Sequence, residues 1–98
     1  MTIFKEYEIV RNSEFELRNK IKSLVEKYVN EHVGIVTEDD SGNPDIIGKT
    51  LKSEISWSLN NYDNTISIFY SPIANRYMDY WDDDKEIKIT QKELLKYE

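Results

Sequence analysis

The segment from Ser13 to Gly34 limits the possible folds more than any other, because it carries the pattern of a capped amphipathic helix. Ser13 and Glu16 form an S-x-x-E capping box, whose side chains satisfy backbone amides at a helix start. One apolar stripe follows at helical spacing: Leu17, Ile21, Leu24, Val25 and Tyr28. Gly34 is suited to cap the C-terminal end. The pattern predicts a helix over about residues 14–32.

The segment at residues 50–60 has the clearest strand pattern. Apolar and polar side chains alternate along it, which predicts one buried and one solvated face. The apolar positions are Leu51, Ile55, Trp57 and Leu59. Residues 61–64 are a turn signal, and residues 65–71 continue the alternation with Ile66, Ile68 and Tyr70. The two segments therefore predict a β-hairpin, in which Trp57 belongs to the core.

Shorter patterns predict three further strands and a C-terminal helix. The strands are expected at residues 2–10, 34–38 and 86–90, where apolar and β-branched side chains alternate or cluster. The helix is predicted from a second capping box, Thr90 to Glu93.

The stretch NRYMDYWDDD, residues 75–84, combines three aromatic side chains with a run of aspartates. Ser71 and Pro72 precede it and suit the N-cap and first position of a helix. We therefore predict a short helix over about residues 71–81. The side chains expected to lean inward are Ile73, Tyr77 and Trp81. The side chains left exposed are Arg76, Tyr80 and Asp82–Asp84.

Together these patterns predict an α+β fold in a single small domain over residues 1–98. An antiparallel sheet of about four to five strands is expected to pack on one long N-terminal helix. Two short helices are expected in the C-terminal part. Since 39% of the residues are hydrophobic, the chain can bury a modest core.

The net charge of −6 is unevenly distributed. Residues 1–33 are balanced, residues 34–64 carry four more acidic than basic side chains, and residues 65–98 carry two more. A basic stripe that could neutralise phosphates is missing, which argues against direct nucleic-acid binding. An acidic surface suits a basic partner.

The composition excludes other classes. Cysteine is absent, so neither disulfides nor thiolate metal sites can form. No apolar run approaches the roughly 18 residues of a membrane span, and no basic-then-apolar leader follows Met1. We therefore expect a cytoplasmic protein without a membrane partner.

A Gly-Lys-Thr triplet at residues 48–50 invites comparison with the phosphate-binding loop of nucleotide-binding proteins. That loop needs four residues between its first glycine and the Gly-Lys pair, whereas five residues lie between Gly42 and Gly48. The loop must also open a helix, and a strand pattern follows here. No nucleotide site is predicted.

The carboxylate-rich segments at residues 38–45 and 79–86 do not have metal-site spacing. A calcium loop needs glycine at its sixth position, and Pro44 or Asp84 occupies that position when counting from Asp39 or Asp79. We predict no metal or cofactor. Catalysis is not expected either, because the single histidine, His32, lies at a helix end, where a structural role is usual.

The aromatic and acidic residues instead predict a protein-binding surface. Tyr, Trp and Arg supply much of the binding energy at protein interfaces, and carboxylates attract a basic partner. The candidate partner-binding residues are Arg76, Tyr77, Asp79, Tyr80, Trp81, Asp82, Asp83, Asp84, Asp39 and Asp40. The aspartates would steer association, while the aromatic residues and arginine would anchor it. For Tyr77 and Trp81 a place in the core is the alternative, and both can hold if one face of the stretch is buried and its rim contacts the partner.

These features predict a small acidic inhibitor or antidote that occludes a basic, nucleic-acid-handling partner, such as a nuclease, toxin or defence effector. Bacterial immunity proteins and phage anti-defence proteins, including anti-CRISPR proteins, share this size and charge. One alternative is a structural or adaptor domain whose acidity serves solubility. Another is a nucleic-acid mimic, although the net charge of −6 is low compared with the dense phosphate charge of DNA.

Overall fold

The computed structural model describes residues 3–4 and 15–98. Helix α1, Phe15–His32, confirms the predicted long helix. Its buried stripe consists of Leu17, Ile21, Leu24, Val25, Tyr28 and Val29. The amides of Val33 and Gly34 both donate to the Val29 carbonyl, at 2.8 and 3.0 Å, and Gly34 has a φ of 104°. This left-handed glycine ends the helix as predicted. Ser13 lies outside the described residues.

Two separate sheets follow the helix. Strands β1 (Ile35–Val36) and β2 (Thr50–Leu51) form a short parallel pair. Strands β3 (Ser56–Asn60), β4 (Thr65–Tyr70) and β5 (Lys85–Thr90) form an antiparallel sheet in the order β3-β4-β5. The predicted hairpin is confirmed, because Trp57 pairs with Ile68 across its two strands. Trp57 itself is half-buried at the margin of the core.

The main core lies between α1 and the antiparallel sheet. The sheet contributes Ile66 and Ile68, which are fully buried, and Ile89, which is nearly so. Fully burying an isoleucine side chain stabilises a fold by about 1.5–3 kcal/mol, so each of these side chains contributes to holding the sheet on the helix. The other buried members are Phe4, Ile21, Leu24, Val25, Tyr28, Val29 and Leu94.

A second, smaller core joins the loops to the parallel pair. Its buried residues are Val36, Ile46, Leu51 and Ile73, with Met78 packed against them. The candidate site is built on this smaller core.

The prediction of four to five antiparallel strands is wrong, since the antiparallel sheet has three strands within the described residues 3–4 and 15–98. Lys52–Glu54 form a 3-10 turn that interrupts the predicted long strand, and Leu51 pairs with β1 instead of β4. The strand predicted at residues 2–10 lies mostly outside the described residues. Ile3 and Phe4 within that segment have helical backbone.

The prediction of two short C-terminal helices is also only partly right. Helix α2, Gln91–Leu94, starts at the predicted N-cap, where the Thr90 hydroxyl accepts a hydrogen bond of 3.1 Å from the Glu93 amide. A 3-10 turn, Leu95–Tyr97, extends it. The helix predicted at residues 71–81 is absent, and a loop takes its place.

In the described part of the chain, no helix combines the length and apolar content that crossing a membrane requires.

Candidate functional site

The loop at residues 72–82, here named the aromatic loop, replaces the predicted helix and forms the centre of the candidate site. Its base is held by Ile73, whose amide donates to the Lys49 carbonyl at 2.7 Å and whose carbonyl accepts from the Gly48 amide at 2.8 Å. Ile73 also faces Trp81 in an antiparallel bridge, and its side chain is fully buried. The sheet-like pairing of Ile73 thus outcompetes helix formation.

Asn75 organises the tip of the aromatic loop. Its side-chain oxygen accepts from the Tyr77 amide at 3.2 Å, and its side-chain nitrogen donates to Asp79 at 2.7 Å. Its carbonyl accepts from the Met78 amide at 3.2 Å. Met78 has a φ of 57°, a left-handed conformation that no helix interior contains. An asparagine turn therefore reverses the chain here.

This turn exposes the aromatic side chains. Tyr77, Tyr80 and Trp81 are 57%, 69% and 40% exposed, respectively. The expectation that Tyr77 and Trp81 lean inward is therefore wrong, whereas that for Ile73 is right. The inward position is taken by Met78, which packs against the smaller core.

Arg76 is placed against its neighbour Tyr77. Its guanidinium donates to the Tyr77 hydroxyl at 2.6 Å and lies 4.8 Å from the ring centre. Stacking of this kind orders both side chains and keeps the arginine at the surface. The pair presents one flat, cationic and aromatic surface within an otherwise acidic loop.

The acidic turn, residues 38–45, lies beside the aromatic loop. The Gly42 amide donates to the Arg76 carbonyl at 2.6 Å, which joins the two segments through their backbones. Within the turn, Asp40 accepts a hydrogen bond of 2.9 Å from the Thr37 amide, and Asn43 accepts one of 3.0 Å from the Asp45 amide. The Gly42–Arg76 bond thus places the acidic turn next to the aromatic loop.

The six candidate aspartates fall into two groups. Three of them accept hydrogen bonds that shape the loops: Asp40 from Thr37, Asp79 from Asn75, and Asp84 from the Ser71 hydroxyl. The other three are Asp39, Asp82 and Asp83, which are exposed. Their side chains form neither a hydrogen bond nor an ion pair within residues 15–98. They are therefore the carboxylates best placed to meet a partner.

Two residues that belong to the candidate site, Ile47 and Asn75, were not predicted from the sequence. Ile47 is 55% exposed and directly precedes Gly48, which binds the base of the aromatic loop. Ile46 beside it is buried while Ile47 is exposed, and the sequence does not distinguish between two adjacent isoleucines in a loop. Asn75 could have been recognised, because asparagine is a strong turn former.

The site offers exposed aromatic side chains for contact with a partner and exposed carboxylates for electrostatic attraction. Among the described residues, no group of three or more histidine, aspartate and glutamate side chains is placed to hold a metal ion. The aromatic side chains project beside carboxylates on a surface anchored to a buried core.

No protein-family model, curated protein or solved structure matches this chain.

Proposed function

We propose that this chain is a small acidic protein-binding inhibitor or antidote, of the kind represented by bacterial immunity proteins and phage anti-defence proteins. It acts in the cytoplasm by covering the basic, nucleic-acid-binding surface of a nuclease, toxin or defence effector. Inhibition is steric and electrostatic and involves no chemistry by the inhibitor itself.

One observation carries the proposal: three exposed aromatic side chains lie in the same region as the carboxylates of Asp39, Asp82 and Asp83, which form no hydrogen bond or ion pair within residues 15–98. Tyr77, Tyr80 and Trp81 are each at least 40% exposed, although burying them would be favourable. Aromatic side chains clustered at a rigid surface and rimmed by charge are typical of protein interfaces. A solubilising surface would need the charge without the aromatic residues.

The charges define the partner's chemistry. The chain has a net charge of −6, and Asp39, Asp82 and Asp83 are exposed around the aromatic loop. Such a surface attracts a lysine- and arginine-rich groove over a distance of about 8–10 Å at physiological salt. The same groove on a nucleic-acid-handling protein binds phosphates, so occupying it would block nucleic-acid binding.

A charge-matched pair of variants tests the proposal. The first variant combines Asp39→Asn, Asp82→Asn and Asp83→Asn. The control combines Glu16→Gln, Glu54→Gln and Glu86→Gln, three exposed positions outside both loops that give an equal change in net charge. We expect capture of a basic partner from host lysate by the native protein and the control, and markedly reduced capture by the first variant. Equal recovery with all three proteins, at low and high salt, would reject the proposal.

The activity of the captured partner separates the alternatives. An inhibitor abolishes the partner's activity at an equimolar ratio, while an adaptor domain leaves that activity unchanged. A nucleic-acid mimic competes with DNA or RNA for the same groove, and the competition weakens steeply with salt. Because exposed aromatic side chains anchor the proposed contact, we expect binding that persists in part at high salt.

A further inference from the structure

The isolated antiparallel bridge between Ile73 and Trp81 has an open backbone edge on its Trp81 side, where no strand pairs within residues 15–98. The two residues lie directly opposite each other in an antiparallel bridge. The flanking hydrogen bonds run from the Ala74 amide to the Tyr80 carbonyl and from the Asp82 amide to the Pro72 carbonyl, each 2.8 Å long. These bonds identify Ile73 and Trp81 as a non-hydrogen-bonded pair, in which the backbone groups of each residue point away from the other.

The backbone groups of Ile73 are satisfied on its far side, by Lys49 and Gly48. Those of Trp81 point to the opposite side, and within residues 15–98 its N–H and C=O have no hydrogen-bond partner. The same is true of the N–H and C=O of Asp83. Asp83 lies two positions further, the spacing at which extended backbone presents the same side again, in the segment between the bridge and β5. The open edge therefore offers donors and acceptors at Trp81 and Asp83.

The side chains along this open edge restrict what can pair with it. A second copy of the chain would bring two sets of Asp82 and Asp83 together, and like charges directly opposite each other destabilise a strand pair. An extended segment with lysine or arginine side chains would place cations against the same carboxylates. Trp81, which is 40% exposed, would pack against the aliphatic stems of those side chains.

We propose that the partner adds a strand to the edge at Trp81–Asp83, and that this strand is an extended, lysine- or arginine-bearing segment. The inference deepens the proposed function and rests on it, because it states how the basic partner is held. Backbone hydrogen bonds to Trp81 and Asp83 set the register, and the flanking carboxylates select for basic side chains. Recognition would then tolerate changes in the partner's sequence that keep its charge and extended shape.

Two synthetic peptides test the inference. The first is a nine-residue peptide that alternates lysine and valine. The second has the same sequence but is N-methylated at three consecutive central amides, which removes donors from both edges and keeps every charge. Binding is followed in two-dimensional ¹⁵N–¹H NMR spectra, with hydrogen exchange measured at the amides of Trp81 and Asp83. We expect the first peptide to slow exchange at both amides, and the second to bind at least about tenfold more weakly.

Two protein variants supply a second measurement. Asp83→Pro removes the outward amide donor together with the side chain, and Asp83→Ala removes only the side chain. Neither disrupts an internal hydrogen bond of Asp83 in the described residues. We expect the proline variant to lose affinity for the first peptide by about a further tenfold beyond the alanine variant. Unchanged thermal unfolding of both variants would show that the fold is retained.

Strand addition is overturned if both peptides bind equally, if neither binds, or if binding leaves exchange at Trp81 and Asp83 unchanged. These results would leave the proposed function standing, because lysate capture with the charge-matched variants measures it independently. The opposite combination is also informative. If the peptide protects the amides of Trp81 and Asp83 but capture from lysate does not depend on the aspartates, the proposed function is rejected and the edge remains a peptide-binding site.

Discussion

The amide of Gly42 donates a hydrogen bond of 2.6 Å to the carbonyl of Arg76. This bond joins the acidic turn to the aromatic loop without using any side chain, so both loops keep their surface side chains for contact. Gly42 has a φ of 93°, a conformation that L-residues rarely adopt, and the space around it is open. The link between the loops therefore depends on glycine for its backbone freedom and not for its size.

Replacing Gly42 should weaken this link in a residue-dependent way. Gly42→Ala forces a Cβ into the left-handed region and should lower the free energy of unfolding by about 1–2 kcal/mol. Gly42→Asn should cost less, because asparagine tolerates positive φ. Urea denaturation compares the two variants, with Ser41→Ala as an exposed neighbouring control. An equal loss for alanine and asparagine would contradict the backbone explanation.

Gln91 is a buried polar side chain that ties helix α2 to the hairpin. Its side-chain nitrogen donates to the Asn61 side-chain oxygen at 2.6 Å and to the Thr65 carbonyl at 3.1 Å. Gln91→Leu removes this donor group and should destabilise the protein by about 1–3 kcal/mol. The reason is that the Asn61 side-chain oxygen and the Thr65 carbonyl lose this hydrogen bond while they stay shielded from water. Chemical denaturation measures the loss. Lys92→Leu changes an exposed neighbour and should alter stability much less; comparable losses would argue against a role for these bonds.

The parts of the fold that follow a local period were predictable from sequence. Helix α1 was recognised because Ile21, Val25 and their neighbours repeat at helical spacing, and the stripe is buried as expected. The hairpin was recognised because alternation continued on both sides of a turn. In both elements, the pattern that drives burial lies within one short stretch of chain.

The aromatic loop was not predictable from sequence, because its backbone pairs with residues that are distant along the chain. Its aromatic spacing and the Ser71-Pro72 pair satisfy the local rules for a helix start. The structure instead pairs Ile73 with Gly48 and Lys49, more than twenty residues earlier, and no local pattern signals such a contact. The bond from the Gly42 amide to the Arg76 carbonyl places the acidic turn beside the aromatic loop, and Tyr77 and Trp81 are exposed where the helical spacing predicts an inward position.

Asp63 should make stability sensitive to acid. A hydrogen bond of 2.5 Å from the Thr65 hydroxyl, followed by attraction to Lys88, holds the pKa of the Asp63 carboxyl below its ordinary value of 3.8. Because the folded pKa is lowered, the stabilisation is fully present above the unfolded pKa. It is lost as the pH falls through the folded value. Urea denaturation between neutral pH and about pH 2 should show this loss.

Asp63→Asn should therefore reduce stability at neutral pH and flatten the acid limb of the pH profile. Asp82→Asn removes an equal charge from an exposed carboxylate that makes no such hydrogen bond within residues 15–98, and it serves as the matched control. A profile for Asp63→Asn that runs parallel to that of the native protein at acidic pH would show that this carboxylate does not contribute to the pH dependence.

Tyr80 provides the sharpest test of the aromatic loop, because a matched tyrosine exists elsewhere on the surface. Tyr80 is 69% exposed in the aromatic loop, and Tyr62 is fully exposed in the turn between β3 and β4. Neither side chain contributes to a core, so replacing either with alanine should change the free energy of unfolding by no more than about 0.5 kcal/mol.

Binding to the captured partner should differ between the two variants. Tyr80→Ala should weaken it by about 2 kcal/mol, or roughly 30-fold, as expected for an interface anchor, while Tyr62→Ala should leave it unchanged. Calorimetric titration of each variant measures both the affinity and the stoichiometry. Equal affinities for the two variants would mean that the aromatic loop is exposed without being an interface.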